Sequence, residues 1–147
     1  MNKKEQALAL FNQGFSCSQS VLCAFASDFN LDQITALKVA GGFGGGMGQL
    51  GETCGVVTAG FMVIGLKYGK ISVNDTTSKG KTNKVIREFA RIYQDKVGSL
   101  KCRELLGCDL STQEGLRYAK ENNLFKKICP DLIEAAVDTL EEILREK

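Results

Sequence analysis

The chain of 147 residues carries 44% hydrophobic and 24% charged side chains and a net charge of +2, the balance of an ordinary folded domain. A charge so near neutral gives no electrostatic footing for nucleic acid or a membrane surface. The complete lack of histidine excludes an imidazole base, a Ser-His-Asp triad, a Cys2His2 zinc site and a histidine-ligated haem.

Helical periodicity runs throughout and no convincing alternating strand pattern interrupts it, so the class expected is all-α: one domain, residues 1–147, bundled around a buried central helix. Lys3 to Gln13 carries Ala7, Leu8, Leu10 and Phe11 and stops at Gly14. Ser16 is placed to cap a second helix that runs to about Phe29 with Val21, Leu22 and Phe25 inward. Asp32 opens a third, with Ile34 and Leu37 on its core side. A helix beginning at Glu52 or Thr53 and ending near Tyr68 is apolar all round and should be central. Its Gly55 and Ala59, four apart, share a face where another helix can come close. The polar run "NDTTSKGKTN" reads as a mobile loop, after which Thr82 or Asn83 starts a helix bearing Val85, Ile86, Phe89, Ile92 and Tyr93, closed by Gly98. Ser99 caps a short helix ending at Gly107, and Ser111 with Glu114 forms a capping box for the next. Pro130 suits the first position of the last helix, whose Leu132, Ile133, Ala136, Val137, Leu140 and Leu144 face inward.

The apolar stretch Ala7 to Phe11 behind a basic start is shorter than a secretory core and is broken by Asn12 and Gln13. Val56 to Leu66 falls short of the ~18 residues a membrane span needs. The expected location is the cytoplasm, without direct membrane insertion, where the six cysteines would stay reduced.

The segment "GGFGGGMGQLGETCG", residues 41–55, holds eight glycines, each of which gives up extra backbone freedom on folding. Gly46-Met47-Gly48-Gln49-Leu50-Gly51 matches G-x-G-x-x-G, but no strand precedes it, and Glu52 stands where a phosphate-binding lysine belongs. A nucleotide site is set aside. Bare backbone N–H groups, those of Gly44, Gly45, Gly46 and Gly48 above all, can instead form a concavity for an anionic group, iron–sulfur sites among them.

Four of the six cysteines fall at expected helix starts: Cys17 after Ser16, Cys54 after Thr53, Cys102 after Ser99 and Cys129 before Pro130. There the macrodipole favours the thiolate, the form that ligates metal or attacks a disulfide. Cys23, facing away from Cys17 on its helix, and Cys108, behind a helix-ending glycine, read as packing residues. "FSCSQSVLCAF", "GGFGGGMGQLGETCGVVTAG", "CRELLG" and "CP" in this order resemble the family of small redox-active proteins named for a Cys, CGAxxG, Cys, Cys pattern. The resemblance covers nearly the whole chain and maps the four defining cysteines to Cys17, Cys54, Cys102 and Cys129. Val56 replaces the usual alanine and Ala59 the second glycine, with Gly60 one place on. The resemblance implies a redox or metal-linked role and a functional link to transporters.

No C-x-x-C is present, which counts against a zinc ribbon, a ferredoxin loop and a thioredoxin-like dithiol. Any shared site must be assembled by the fold. The first expectation is an all-cysteine iron–sulfur cluster held by Cys17, Cys54, Cys102 and Cys129 for electron transfer, with zinc in the same cage as a structural variant. The alternative is a thiol oxidoreductase with Cys54 as nucleophile and Cys17 or Cys102 resolving, weakened by the neighbouring Glu52 carboxylate. The blandest is a helical adaptor with buried cysteines and no cofactor. A redox partner is implied by the first two, and a homodimer is compatible with a small helical protein.

Overall fold

The structure, a computed structural model, describes residues 1–145. Among them the chain is all-α, in the order α1 (Lys3–Gln13), α2 (Cys17–Ala26), α3 (Gln33–Ala40), α4 (Gly55–Tyr68), α5 (Ser78–Val97), α6 (Cys102–Leu106), α7 (Gln113–Glu121) and α8 (Leu124–Arg145), with a 3-10 turn at Ser27–Phe29. No helix among the described residues is long and apolar enough to cross a membrane.

The first helices begin and end for the expected chemical reasons. Asn2 and Glu5 close a capping box on α1, Gly14 ends it in the left-handed region, and Ser16 with Gln19 forms a second box on α2. Asp32 caps α3 through the Thr35 amide. The inward side of α3 is Ala36 and Ala40, however, and Ile34 is 68% exposed. At 100° per residue Ile34 lies about 200° from Ala36, so the two small residues that let α3 lie against α2 turn it outward.

Four helix starts differ from expectation, each because a neighbouring group competes for the backbone. α4 begins at Gly55 because Thr53 is drawn into an antiparallel bridge with Lys101. α5 begins at Ser78, four residues before Thr82, where the Asp75 carboxylate accepts from the amides of Thr77 and Ser78. The residues from Ser78 to Asn83, expected as loop, are therefore helix. Ser99 does not cap α6: its hydroxyl bonds the Glu104 carboxylate and accepts from the Lys101 amide. Thr112, not Ser111, caps α7 through Gly115, the Ser111 hydroxyl being held by Asp109.

The fifth difference is the largest. α8 starts at Leu124, and Pro130 lies inside it. A proline there removes the N–H that would bond the Lys126 carbonyl. The helix runs through because Leu124, Phe125, Ile128, Cys129 and Leu132 form an apolar stripe at helical spacing whose burial offsets the lost bond.

The main core lies where α2, α4, α5 and α8 meet, flanked by α1 and α3. α4 is indeed the buried centre, with Val56, Val57, Ala59, Val63 and Ile64 fully enclosed. Close approaches occur on two sides of α4: Gly55 faces Cys17 and Ser18 of α2, and at Gly60, about 140° round the helix, a methyl would come 2.5 Å from the Phe89 ring. Tyr93 stacks on Phe89 with ring centres 6.0 Å apart. Along α8, Ile143 takes the buried place expected of Leu144, which is half-buried. A smaller apolar cluster, formed by α6, α7, the loop between them and the start of α8, sits to one side.

Candidate functional site

The short bridge that delays α4 also assembles the site. Thr53 pairs with Lys101, the Cys54 amide donates to the Leu100 carbonyl at 2.8 Å and the Cys102 amide to the Glu52 carbonyl at 2.6 Å. Residues 52–54 and 100–102 are thereby laid side by side, and two cysteines distant in sequence flank one bridge. Arg103 fastens the arrangement, its guanidinium 2.6 Å from the Glu52 carboxylate and 3.0 Å from the Gly51 carbonyl. Both side chains are half-exposed, so the ion pair positions more than it stabilises.

Cys17 arrives from the other side. It is the first residue of α2, set by the Ser16–Gln19 box, and Gln19 and Ser18 anchor that end of α2 to the Leu37 and Ala40 carbonyls of α3. Cys54 is the N-cap of α4, its carbonyl accepting from Val57 and Thr58. Gly55 lets the two helix starts meet: a side chain there would lie 2.8 Å from the Cys17 sulfur and 2.9 Å from the Phe43 carbonyl.

The glycine segment adopts a form rarely seen over more than one residue. Gly45, Gly46, Met47, Gly48 and Gln49 have φ of 63°, 73°, 71°, 61° and 63°, a left-handed turn of five consecutive residues. For Met47 and Gln49 this conformation costs about 1–2 kcal/mol each. Cross-bonds hold it, Met47 to Phe43, Gln49 to Gly44, Gly51 to Gly45 and Glu52 to Gly46, at 2.9–3.2 Å. A methyl on Gly46 would meet the Glu52 amide at 2.6 Å and the Cys102 Cβ at 2.7 Å, so the turn packs directly on the bridge. Among the described residues, the amides of Gly44, Gly45, Gly46 and Gly48 donate to no acceptor in the protein.

Between these parts lies a cavity of about 480 Å³. Cys17, Cys54, Cys102 and Cys129 all line it, together with Gly44, Gly45, Gly46 and Gly48. Phe11, Leu105, Leu106, Leu110, Phe125 and Leu132 supply the apolar wall, and no Lys, Arg, Asp or Glu among the described residues lines it. Cys54, Cys102 and Cys129 are 4%, 6% and 8% exposed, and Cys17 is half-buried. All six cysteines are free.

The sulfurs are not equivalent. The Cys17 thiol hydrogen-bonds Cys54 and holds it below the ordinary thiol value against the opposing effect of burial, with the Val56 amide, Tyr93 hydroxyl and Val57 amide adding to it. Cys17 is correspondingly raised, by that bond first and by burial second. Burial followed by the charge of Cys54 pushes Cys102 and Cys129 each up to about 12. The Tyr93 hydroxyl, in the protein interior, has no conventional hydrogen-bond partner. Burial raises it first, and the adjoining Cys54 charge second.

All eight residues expected at the site therefore share one cavity, while Cys23 and Cys108 lie outside it, half-buried against the two cores. Two expectations need correction. Cys129 is the sixth residue of α8 and not at a helix start, because the apolar stripe before Pro130 extends the helix backwards. Glu52 does not burden Cys54, because its exposed carboxylate turns to Arg103. As folded, no group of three or more Cys, His, Asp or Glu among the described residues is arranged to hold a metal ion. Tyr93 was legible only as a core residue on the apolar face of α5. Its spacing of four from Phe89 announces burial and gives no sign of the sulfur beside its hydroxyl.

Neither the curated proteins nor the solved structures give a match to this chain. The sequence model of one family, described as "Putative redox-active protein (C_GCAxxG_C_C)", matches residues 15–143, which include the four cavity cysteines and the glycine turn. The chain belongs to that redox-active family.

Proposed function

We infer that the protein is a dithiol–disulfide redox protein in which Cys54 and Cys17 are the working pair. The observation that carries this reading is their juxtaposition at two helix starts, with room made by Gly55 and with Cys54 favoured as thiolate. Cys54 attacks one sulfur of a disulfide substrate, whose S–S bond breaks, and the departing thiolate takes a proton from solvent. Cys17 then gives up its proton and attacks the Cys54 sulfur. The second substrate thiol leaves with that proton, and a Cys17–Cys54 disulfide remains. Two electrons pass from the protein to the substrate. In this reading Cys102 and Cys129 serve as wall, since the contact that favours the Cys54 thiolate comes from Cys17 and not from them.

A second reading rests on a separate observation: among the described residues four cysteines and no carboxylate line one cavity. That donor set suits an all-thiolate iron–sulfur cluster for electron transfer, or structural zinc, and the free glycine amides suit the negative charge of such a centre. The cysteines must draw together for it, since no three ligands converge among the described residues as folded.

One preparation, isolated without air, tests both. Mass mapping after one equivalent of a disulfide oxidant should find a Cys17–Cys54 link, and a different pairing overturns the dithiol reading. Iron and sulfide in near-equal amounts, lost in each of Cys17→Ser, Cys54→Ser, Cys102→Ser and Cys129→Ser and kept in Cys23→Ser and Cys108→Ser, would establish the cluster instead.

A further inference from the structure

The cavity is larger than a cysteine pair requires. A volume of about 480 Å³ lies within the range of small-molecule sites, roughly 300–1,000 Å³, and its composition restricts what enters. Two phenylalanines and four leucines supply its apolar wall, and among the described residues the cysteines are its only ionisable groups. A ligand with several charges would lose its hydration there and find no counter-charge, a cost of several kcal/mol for each ion. Hydrogen-bonding capacity is nevertheless present on the side formed by Ser16, Gln49 and the glycine turn. Gly44, Gly45, Gly46 and Gly48 are on the wall and their amides have no acceptor among the described residues, and the left-handed turn of residues 45–49 fixes the segment. An apolar chamber with one donor-rich wall and a reactive sulfur complements a molecule with an apolar body, one acceptor group and a bond that sulfur can attack.

The geometry points to a low-molecular-weight substrate: an alkyl disulfide with an apolar body and a single carbonyl or carboxylate acceptor, bound with the acceptor on the Gly44–Gly48 amides. This rests on the dithiol reading and adds the substrate class to it. Multiply charged disulfides of the glutathione type and protein disulfides are excluded as preferred substrates. The reaction balances as Cys54 thiolate, Cys17 thiol, the alkyl disulfide and one solvent proton giving the Cys17–Cys54 disulfide and two alkyl thiols.

The probe is lipoamide, a cyclic disulfide on an alkyl chain ending in a carboxamide, compared with oxidised glutathione on the reduced full-length protein. Each rate is divided by that of free 2-mercaptoethanol with the same disulfide, which removes their intrinsic difference in reactivity. Lipoamide should be favoured at least tenfold. Phe125→Glu, which puts a charge on the half-buried wall, should reduce the preference below threefold. Equal corrected rates, or a preference for glutathione disulfide, would overturn the substrate class and leave the dithiol reading standing. The converse failure is read from amide shifts of Gly44–Gly48 in Cys17→Ser/Cys54→Ser: saturable lipoamide binding there, with neither disulfide oxidising the wild type, upholds the ligand class and removes the dithiol chemistry. An absence of binding in that variant counts against the class directly.

Discussion

In the larger apolar cluster α2, α4, α5 and α8 close on one another until Phe89, Tyr93, Ile64, Ile133 and Leu140 keep no exposed surface. In the smaller, the glycine turn packs on the first residue of α6, yet a chamber of about 480 Å³ remains between the turn, α6 and the start of α8. The first obeys the ordinary rules: good caps, apolar stripes and small residues where helices cross. The second breaks several at once. It has five successive left-handed residues, a proline within a helix and, among the described residues, unpaired amides and, at its border with the core, a tyrosine hydroxyl without a conventional partner. Such departures each cost stability, and they cluster where the sulfurs are, as expected of a site shaped for chemistry and supported by a conventional core.

The contrast can be tested by perturbing each side. The largest effect belongs to the closed core: Phe89→Ala should cost about 3–5 kcal/mol in denaturant unfolding, whereas Phe125→Ala, half-buried beside the chamber, should cost under about 1 kcal/mol because less packing is lost. Equal losses would mean that the chamber is as tightly filled as the core. Gly46→Ala comes next. Its positive φ and its contacts with the Glu52 amide and Cys102 predict a loss of about 1–3 kcal/mol, together with a changed ratio of Cys54 to Cys102 alkylation.

Alkaline titration separates the regions more gently. Cys102 and Cys129, raised to about 12 in the folded protein, contribute stability that is fully present below the unfolded thiol value near 9 and is lost as the pH climbs toward 12. Melting temperature should fall through that window, and less steeply in Cys102→Ala/Cys129→Ala. The smallest change in stability, on the order of 1 kcal/mol or less, is expected of Tyr93→Phe, which removes a hydroxyl that makes no conventional bond. It should move the pH profile of Cys54 alkylation upward, and by less than Cys17→Ser does, since Cys17 is the stronger influence. An unmoved profile would detach Tyr93 from the sulfur.

The same division marks what could be read from the sequence. The limits of α1, the cap of α2 at Ser16, the buried centrality of α4 and the inward face of α8 as far as Leu140 follow from local spacing and capping chemistry, and the structure has them. The gathering of Cys17, Cys54, Cys102 and Cys129 beside the glycines was also legible, because expected helix-start placement and the family pattern single out these four of the six. The setting of Cys129 was not. Proline usually opens a helix, and only the tertiary cluster around Leu124 and Phe125 reveals the helix continuing upstream of it. The bridge between Thr53 and Lys101, nearly fifty residues apart, has no local signature, so neither the late start of α4 nor the rescue of Cys54 from Glu52 could be foreseen. The juxtaposition of Cys17 and Cys54, on which the dithiol proposal rests, depends on how closely two helix starts approach, and that distance is a property of the assembled fold.

Pro130 has one more consequence. It falls where α8 passes from the chamber, with Phe125 and Cys129, to the core, with Ile133 and Val137. With one rung missing from its ladder, the helix is most compliant at that junction, so the upstream turns can follow events at the sulfurs while the downstream turns stay in register with α1, α4 and α5. A change of oxidation state can therefore be absorbed within a few residues, and the rest of the molecule need not register that it has happened.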